Sequence, residues 1–157
     1  AAEGAVNSGS HVMIRRIQAA TLLTLAILAG PLWAELPTTP APSGAAVYFI
    51  TPRDGEQIRG PVTVRFGLKG MGVAPAGTLK ETTGHHHLLV DVEQLPAAGQ
   101  PIPSDAHHHH FGNGQTETTL ALPPGRHTLQ LLMGDANHVP HQPPVLSERV
   151  TIEVMPQ

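Results

Sequence analysis

"VTVRFGLK", residues 62–69, decides the fold class of this chain, because apolar and polar side chains alternate along it. Every second residue from Val62 to Leu68 is apolar, so one face of an extended strand would be buried while the other stays polar. The stretch "ERVTIEV", residues 148–154, repeats this alternation near the C-terminus. A period of two residues is typical of β-strands and not of helices.

Comparable short stretches recur along the chain and are separated by turns. They lie at 46–51, 88–92, 116–122 and 129–133. The 16 Gly and 16 Pro residues favour turns and would interrupt helices. We therefore predict an all-β fold, specifically an immunoglobulin-like β-sandwich of about seven short antiparallel strands.

The N-terminal part of the chain has the three regions of a secretory signal peptide. Basic residues follow Met13, an apolar stretch comes next, and "LWA" before Glu35 is a plausible cleavage site. The apolar stretch is shorter than the roughly 20 residues of a membrane span, although an uncleaved anchor is the alternative. The predicted organisation is a vector remnant or overlong N-terminus at 1–12, a signal peptide at 13–34, a Pro-rich linker at 35–45 and a His-rich domain at 46–157.

These features predict a periplasmic or secreted bacterial protein with no membrane span after signal cleavage. The absence of cysteine excludes disulfides, thiolate metal sites and thiol catalysis. With 9 Lys and Arg against 12 Asp and Glu, the chain lacks the basic surface that a nucleic-acid partner requires. No sequence motif of a zinc protease, a nucleotide-binding loop or a serine hydrolase is present, so we predict that the protein is not an enzyme.

Histidine is the residue type that points to a function. In "GHHHLLVDV", residues 84–92, His86 shares the phase of Leu88 and is predicted to be a hydrogen-bonded, partly buried core residue. His85 and His87 share the opposite face, at a spacing of about 6–7 Å that lets two imidazoles converge on one metal ion. Neutral imidazole suits zinc, copper and nickel.

Two further segments add histidines, "DAHHHH" at 105–110 and "GDANHVPHQPPV" at 134–145, where three prolines stiffen the loop. A solvated polar loop or a structural loop is the alternative for each segment. His127 is predicted to be a packed or hydrogen-bonded strand residue. The predicted metal ligands are His85, His87, His108, His110, His138 and His141, and the residues predicted to orient their rings are Asp91, Asp105 and Asp135.

"GHHHLLVD" at 84–91, "HFGNGQTE" at 110–117 and the segment from "LPPGRHT" to "ERVTIEV" at 122–154 together resemble a family of bacterial exported proteins catalogued as Domain of Unknown Function 4399. The resemblance covers Val47–Val154 and implies a compact β domain, but no particular activity. It also implies that the characteristic part of the family comprises Gly84–His87, His110–Gln115, Gly134, Asp135, His138 and His141.

The sequence therefore predicts a periplasmic module that binds copper or zinc for buffering, delivery or sensing. Its predicted partner is the metal ion, with another envelope protein as a further candidate. One alternative is a non-catalytic structural or interaction domain whose histidines organise loops or respond to pH. A metallohydrolase is the other alternative. A single shared metal site requires the three His-rich segments to meet in space.

Overall fold

The computed structural model describes residues 36–157, which form nine β-strands and no helix. The strands are β1 Ala46–Thr51, β2 Gln57–Arg59, β3 Val62–Lys69, β4 Gly72–Val73, β5 Thr83–Val90, β6 His108–His110, β7 Glu117–Leu120, β8 Gly125–Gly134 and β9 Val150–Met155. The predicted all-β class is confirmed. Within this range no helix is present that could cross a membrane. The predicted signal peptide at 13–34 and the segment at 1–12 lie outside the described residues.

The strands form two sheets. One has the order β1-β3-β7 and is antiparallel, and the other has the order β2-β9-β8-β5-β4, with β6 paired to β5. Two pairs are parallel, β2 with β9 and β4 with β5. The prediction of about seven strands, all antiparallel, was wrong in these details, because β2 and β4 are too short to show a period in the sequence.

Apolar side chains of both sheets meet in one shared core. Val62, Val64 and Phe66 enter it from β3, as the alternation in the sequence predicted. The other sheet contributes Leu88 and Val90 of β5, Leu129, Leu131 and Met133 of β8, and Val150, Ile152 and Val154 of β9. Removing these side chains from water is the main favourable term in the free energy of folding.

Strand β5 is buried on both faces, which is unusual in an antiparallel sheet, where one face is commonly wet. His86, Leu88 and Val90 point to the shared core. On the other face, Leu89 packs with Ile102 and Leu132 in a second, smaller core beneath the long connections. His85 and His87 share the face of Leu89 and are therefore also enclosed.

Residues 36–45, predicted to be a linker, lie against the domain. The Ala41 amide donates to the Gln142 carbonyl and the Gln142 amide donates to the Thr39 carbonyl, each at 2.9 Å. The Thr39 hydroxyl also donates to Asp135 Oδ2 at 2.7 Å. An extended Pro-rich segment keeps free backbone groups between its prolines, and here they pair with the loop that follows β8.

Candidate metal centre

Three segments of the chain bring four imidazole rings together. His85 and His87 come from β5, and His110 of β6 is the antiparallel partner of His87. His138 comes from the loop after β8. Strand β8 ends at Gly134, which is the antiparallel partner of His85. We call His85, His87, His110 and His138 the imidazole cluster. The three His-rich segments, whose convergence the sequence left open, meet through these residues.

The rings of the imidazole cluster are all neighbours of one another. Their centroids are 4.8 Å apart for His85–His87, 5.0 Å for His85–His110, 5.0 Å for His85–His138, 5.1 Å for His87–His110, 6.1 Å for His87–His138 and 4.8 Å for His110–His138. One ring nitrogen from each of His85, His110 and His138 lies within 4.8 Å of the others. Nε2 of His87 lies 3.0 Å from Nε2 of His85. This arrangement could hold a metal ion.

Two glycines leave room for the rings. A methyl group at Gly134 would lie 2.9 Å from Nε2 of His87, and one at Gly112 would lie 2.3 Å from Cε1 of His110. Real side chains do not tolerate such distances, so any larger residue at either position would displace a ring. The two glycines therefore shape the space in which the imidazole cluster sits.

The loop that carries His138 is held by the buried carboxylate of Asp135. Asp135 Oδ1 accepts hydrogen bonds from the amides of Asn137 at 2.8 Å and Val139 at 3.0 Å, and Oδ2 accepts from Thr39. His138 has φ +66°, a left-handed conformation that is uncommon outside glycine. The carboxylate compensates for this conformation and aims the imidazole at β5.

The connection between β4 and β5 ties together the segments around the imidazole cluster. The Ala74 amide donates to the Gly84 carbonyl at 2.8 Å, the Ala76 amide to Gly112 at 2.9 Å and the Gly77 amide to Ala136 at 3.0 Å. We call residues 74–77 the strap. Because Gly112 follows His110 and Ala136 precedes His138, the strap fixes the distance between two segments that come from distant parts of the sequence.

Three rings of the imidazole cluster are neutral at pH 7. Burial, and then repulsion from His110 and His138, lowers the pKa of His85 to about 4. Burial and repulsion from the other three rings lower the pKa of His87 to about 2. Burial, followed by repulsion from His138, also lowers the pKa of His110. A neutral imidazole is the form that binds metals, so these rings are ready to act as ligands.

Two of the predicted ligands lie outside the imidazole cluster. Nδ1 of His108 is 2.9 Å from Asp105 Oδ1, in a partly exposed pair at the start of β6. The buried ring of His141 faces backbone carbonyls on both sides, with Nδ1 3.4 Å from Met133 O and Nε2 3.3 Å from Thr83 O. Both rings are therefore engaged by protein groups.

The three aspartates predicted to orient imidazoles bond to groups outside the imidazole cluster. Asp91 accepts from His127 Nδ1 at 2.7 Å and from the Thr128 amide at 2.8 Å, at the far end of β5. Asp105 holds the amides of His107 and His108 as well as the His108 ring. Asp135 acts through the loop backbone. None of the three hydrogen-bonds a ring of the imidazole cluster.

His86 and His127 have surroundings that explain them structurally. His86 is completely buried, its ring centroid lies 5.0 Å from that of Phe66, and burial lowers its pKa to about 4. Burial opposes the charged form of His127, but hydrogen bonds to Asp91 and to the Pro123 carbonyl outweigh it and raise the pKa. The sequence predicted a hydrogen-bonded strand residue for His127 and a core position for His86, but His86 is completely buried and neither of its ring nitrogens has a hydrogen-bond partner among the described residues.

The strap and the two glycines are features of the site that sequence reasoning missed. "APAG" at 74–77 reads as an ordinary Pro- and Gly-containing turn, and its three partners are far away in the chain. The available signal was the length of the connection before β5, because long loops in compact domains often have a function.

Comparison with known proteins gives one match. A family model described as "Domain of unknown function (DUF4399)" matches residues 64–155, which include the imidazole cluster and the strap. This match confirms the resemblance read from the sequence. No curated protein and no solved structure matches the chain.

Proposed function

We propose that this chain, which belongs to the DUF4399 family of domains of unknown function, binds a transition-metal ion, copper or zinc, in the bacterial cell envelope. Export is supported by the signal-like sequence at 13–34. The module would buffer, deliver or sense the ion. An immunoglobulin-like order of strands belongs to the same proposal and is supported by two sheets that share one core.

The observation that carries the proposal is the imidazole cluster itself. Four rings from three distant segments lie within contact distance of one another, in a space where His85 and His87 are buried and His110 and His138 are partly buried. Buried polar groups are normally hydrogen-bonded, yet Nε2 of His110 has no partner among the described residues, and Nε2 of His87 lies 3.0 Å from another ring nitrogen, Nε2 of His85. A cation would stabilise ring nitrogens that are arranged in this way.

Binding is favoured over catalysis by what surrounds the rings. Among residues 36–157, no carboxylate is hydrogen-bonded to a ring of the imidazole cluster, and Asp91, Asp105 and Asp135 are engaged by other groups. A carboxylate used in this way is less free to serve as a general base. This supports the proposal of a non-enzymatic metal protein.

The test is a titration of the untagged full chain with Zn(II), Cu(II) and Cu(I) against a competing chelator at neutral pH. We expect one ion to bind per chain, and we expect His110→Ala/His138→Ala to abolish this binding. Both substituted rings are only partly buried, so the variant should keep its fold.

The matched control is His107→Ala/His108→Ala, which removes two histidines next to the imidazole cluster but outside it. This control should bind like the parent chain. Equal, weak binding by all three proteins would show that the histidines serve structure only.

A further inference from the structure

We infer that His87 is a fourth metal ligand and that the imidazole cluster is a closed, tetrahedral, all-nitrogen site suited to zinc, with no position left for water. This inference rests on the proposed function and specifies its metal and coordination. It adds His87 to His85, His110 and His138, three residues whose ring nitrogens could hold a metal ion. Those three ligands alone would leave one position of a tetrahedral ion open.

The first argument is the shape of the imidazole cluster. Four imidazoles bound at about 2.0 Å in a tetrahedron have ring centroids about 5 Å apart along all six edges. Five of the six observed distances lie between 4.8 and 5.1 Å. Only His87–His138, at 6.1 Å, is longer. A flat square of ligands would instead require two long diagonals.

The second argument is the position of the His87 nitrogen. Its Nε2 lies 3.0 Å from Nε2 of His85, a hydrogen bond that a shared metal ion would replace, and neighbouring ligand atoms of a tetrahedral zinc site are about 3.3 Å apart. Gly134 leaves the space that this ring occupies, and it has no positive φ that would otherwise require glycine. The absence of a side chain at Gly134 is therefore explained by the His87 ring and by the passage of the His138 backbone, 3.4 Å away.

The third argument is the chemistry of the donor set. Asp91, Asp105 and Asp135 are bonded elsewhere, and Met71 packs against the shared core beside Gly84. The site therefore offers imidazole nitrogen alone. Copper(II) prefers a square-planar or tetragonal arrangement and copper(I) prefers soft sulfur, whereas a tetrahedral site of nitrogen ligands suits zinc.

Closure of the site follows from the number of its ligands. His85 and His87 are almost completely buried, at 1% and 0% relative exposure, and His110 and His138 are partly buried. Four protein ligands fill the coordination sphere of structural zinc, while catalytic zinc keeps one position for water. A zinc ion held in this way is stored or stabilises the loops, and it does not activate water.

The first test uses Co(II) as a spectroscopic substitute for zinc in the full chain, with X-ray absorption on the zinc-loaded protein. We expect the intense visible absorption of tetrahedral Co(II) and four nitrogen neighbours of zinc at about 2.0 Å. Three nitrogens with an added oxygen, or an octahedral Co(II) spectrum, would overturn the inference. Stoichiometric binding in that case would leave the proposed function intact.

The second test separates a ligand from a residue that only positions a ligand. Loss of an outer partner lowers metal affinity by about 10–100-fold, so His87→Ala should lower zinc affinity by more than about 100-fold. Gly134→Ala should displace the same ring without removing it and should also weaken the tetrahedral Co(II) absorption. His108→Ala is the control that should change neither.

Far-ultraviolet circular dichroism establishes whether each variant is folded. The X-ray absorption test uses the parent chain and therefore does not depend on the folding of the variants. If folded His87→Ala keeps the parent's zinc affinity and Co(II) spectrum, His87 is not a ligand. If the parent chain binds no metal stoichiometrically, both the inference and the proposed function are wrong.

Discussion

His86 and His87 are adjacent in the chain, yet β5 sends their rings to opposite sides and into different environments. The ring of His86 packs on Phe66 in the shared core. In the imidazole cluster, Nε2 of His87 lies 3.0 Å from Nε2 of His85. His127 is different again, since it pairs with the carboxylate of Asp91. At the residue scale, the role of a histidine here is set by the face of the strand and by its partner.

Replacement of His127 tests the pairing with Asp91. The pKa of His127 is raised in the folded protein, so the charged pair stabilises the fold at pH below about 6.5, the unfolded value, and this stability is lost as pH rises through the folded pKa. We expect His127→Gln to lower the free energy of unfolding more at pH 6 than at pH 9. Because Asp91 is partly exposed, the difference should be about 1 kcal/mol or less.

Urea unfolding at the two pH values measures this difference, and Asp91→Asn is the matched control. That variant removes the negative charge, so the interaction between residues 91 and 127 should contribute little to any change in its stability between pH 6 and pH 9. The same loss for His127→Gln at both pH values would mean that the ring contributes by packing alone.

Asp135 is the residue whose loss should affect both stability and metal binding. Its carboxylate is buried and accepts from two amides and the Thr39 hydroxyl. We expect Asp135→Ala to destabilise the protein by about 3 kcal/mol, because buried donors lose their acceptor. We also expect weaker zinc binding, because His138 is no longer held. Thermal unfolding and chelator competition measure the two effects, and unchanged affinity would contradict the role of the carboxylate in aiming His138.

At the scale of elements, the site is built where one strand, one short edge strand and two irregular connections meet. Strand β5 supplies two rings of the imidazole cluster, β6 lies beside it, and the strap donates hydrogen bonds to Gly112 and Ala136. The segment at 36–45 contacts the loop that carries His138, through the hydrogen bond from the Thr39 hydroxyl to Asp135. Metal binding and the docking of these connections should therefore be coupled.

Thr39→Val tests this coupling, because it removes the hydroxyl that bonds Asp135 and keeps the shape of the side chain. We expect a loss of about 1 kcal/mol in the free energy of unfolding and a several-fold lower zinc affinity. Thr38→Val, at an exposed neighbouring position, is the control and should change neither quantity. Equal affinities for the two variants would show that the segment does not act on the loop of His138.

At the scale of the whole molecule, several buried neutral histidines make the metal-free protein sensitive to acid. His86 titrates near 6.5 in the unfolded chain and at about 4 when folded. Between these values the unfolded chain binds more protons, so the free energy of unfolding falls as pH is lowered from 7 to 4. His86 alone accounts for on the order of 3 kcal/mol.

Denaturant unfolding of the metal-free chain at pH 7 and pH 5 measures this effect. His86→Phe keeps an aromatic ring in the core without a titratable group, so its stability should fall less between the two pH values. If the free energy of unfolding falls equally in both proteins, groups other than His86 cause the acid sensitivity.

The sequence by itself determined the all-β class, the family and which faces of β3 and β9 are buried, because these depend on alternation along a few consecutive residues. The burial of both faces of β5 was not among these features. It singled out the His-rich segments as candidate sources of ligands but left open whether they meet in space, and the folded chain brings His85, His87, His110 and His138 together. Only the tertiary structure decided that His108 and His141 bond elsewhere and that Asp135 holds a loop instead of a ring. Hydrogen bonds between residues far apart in the chain depend on how strands align and loops close, and this has no local signal. For the same reason, the strap, the two glycines and the docking of Thr39 became visible only in the folded molecule.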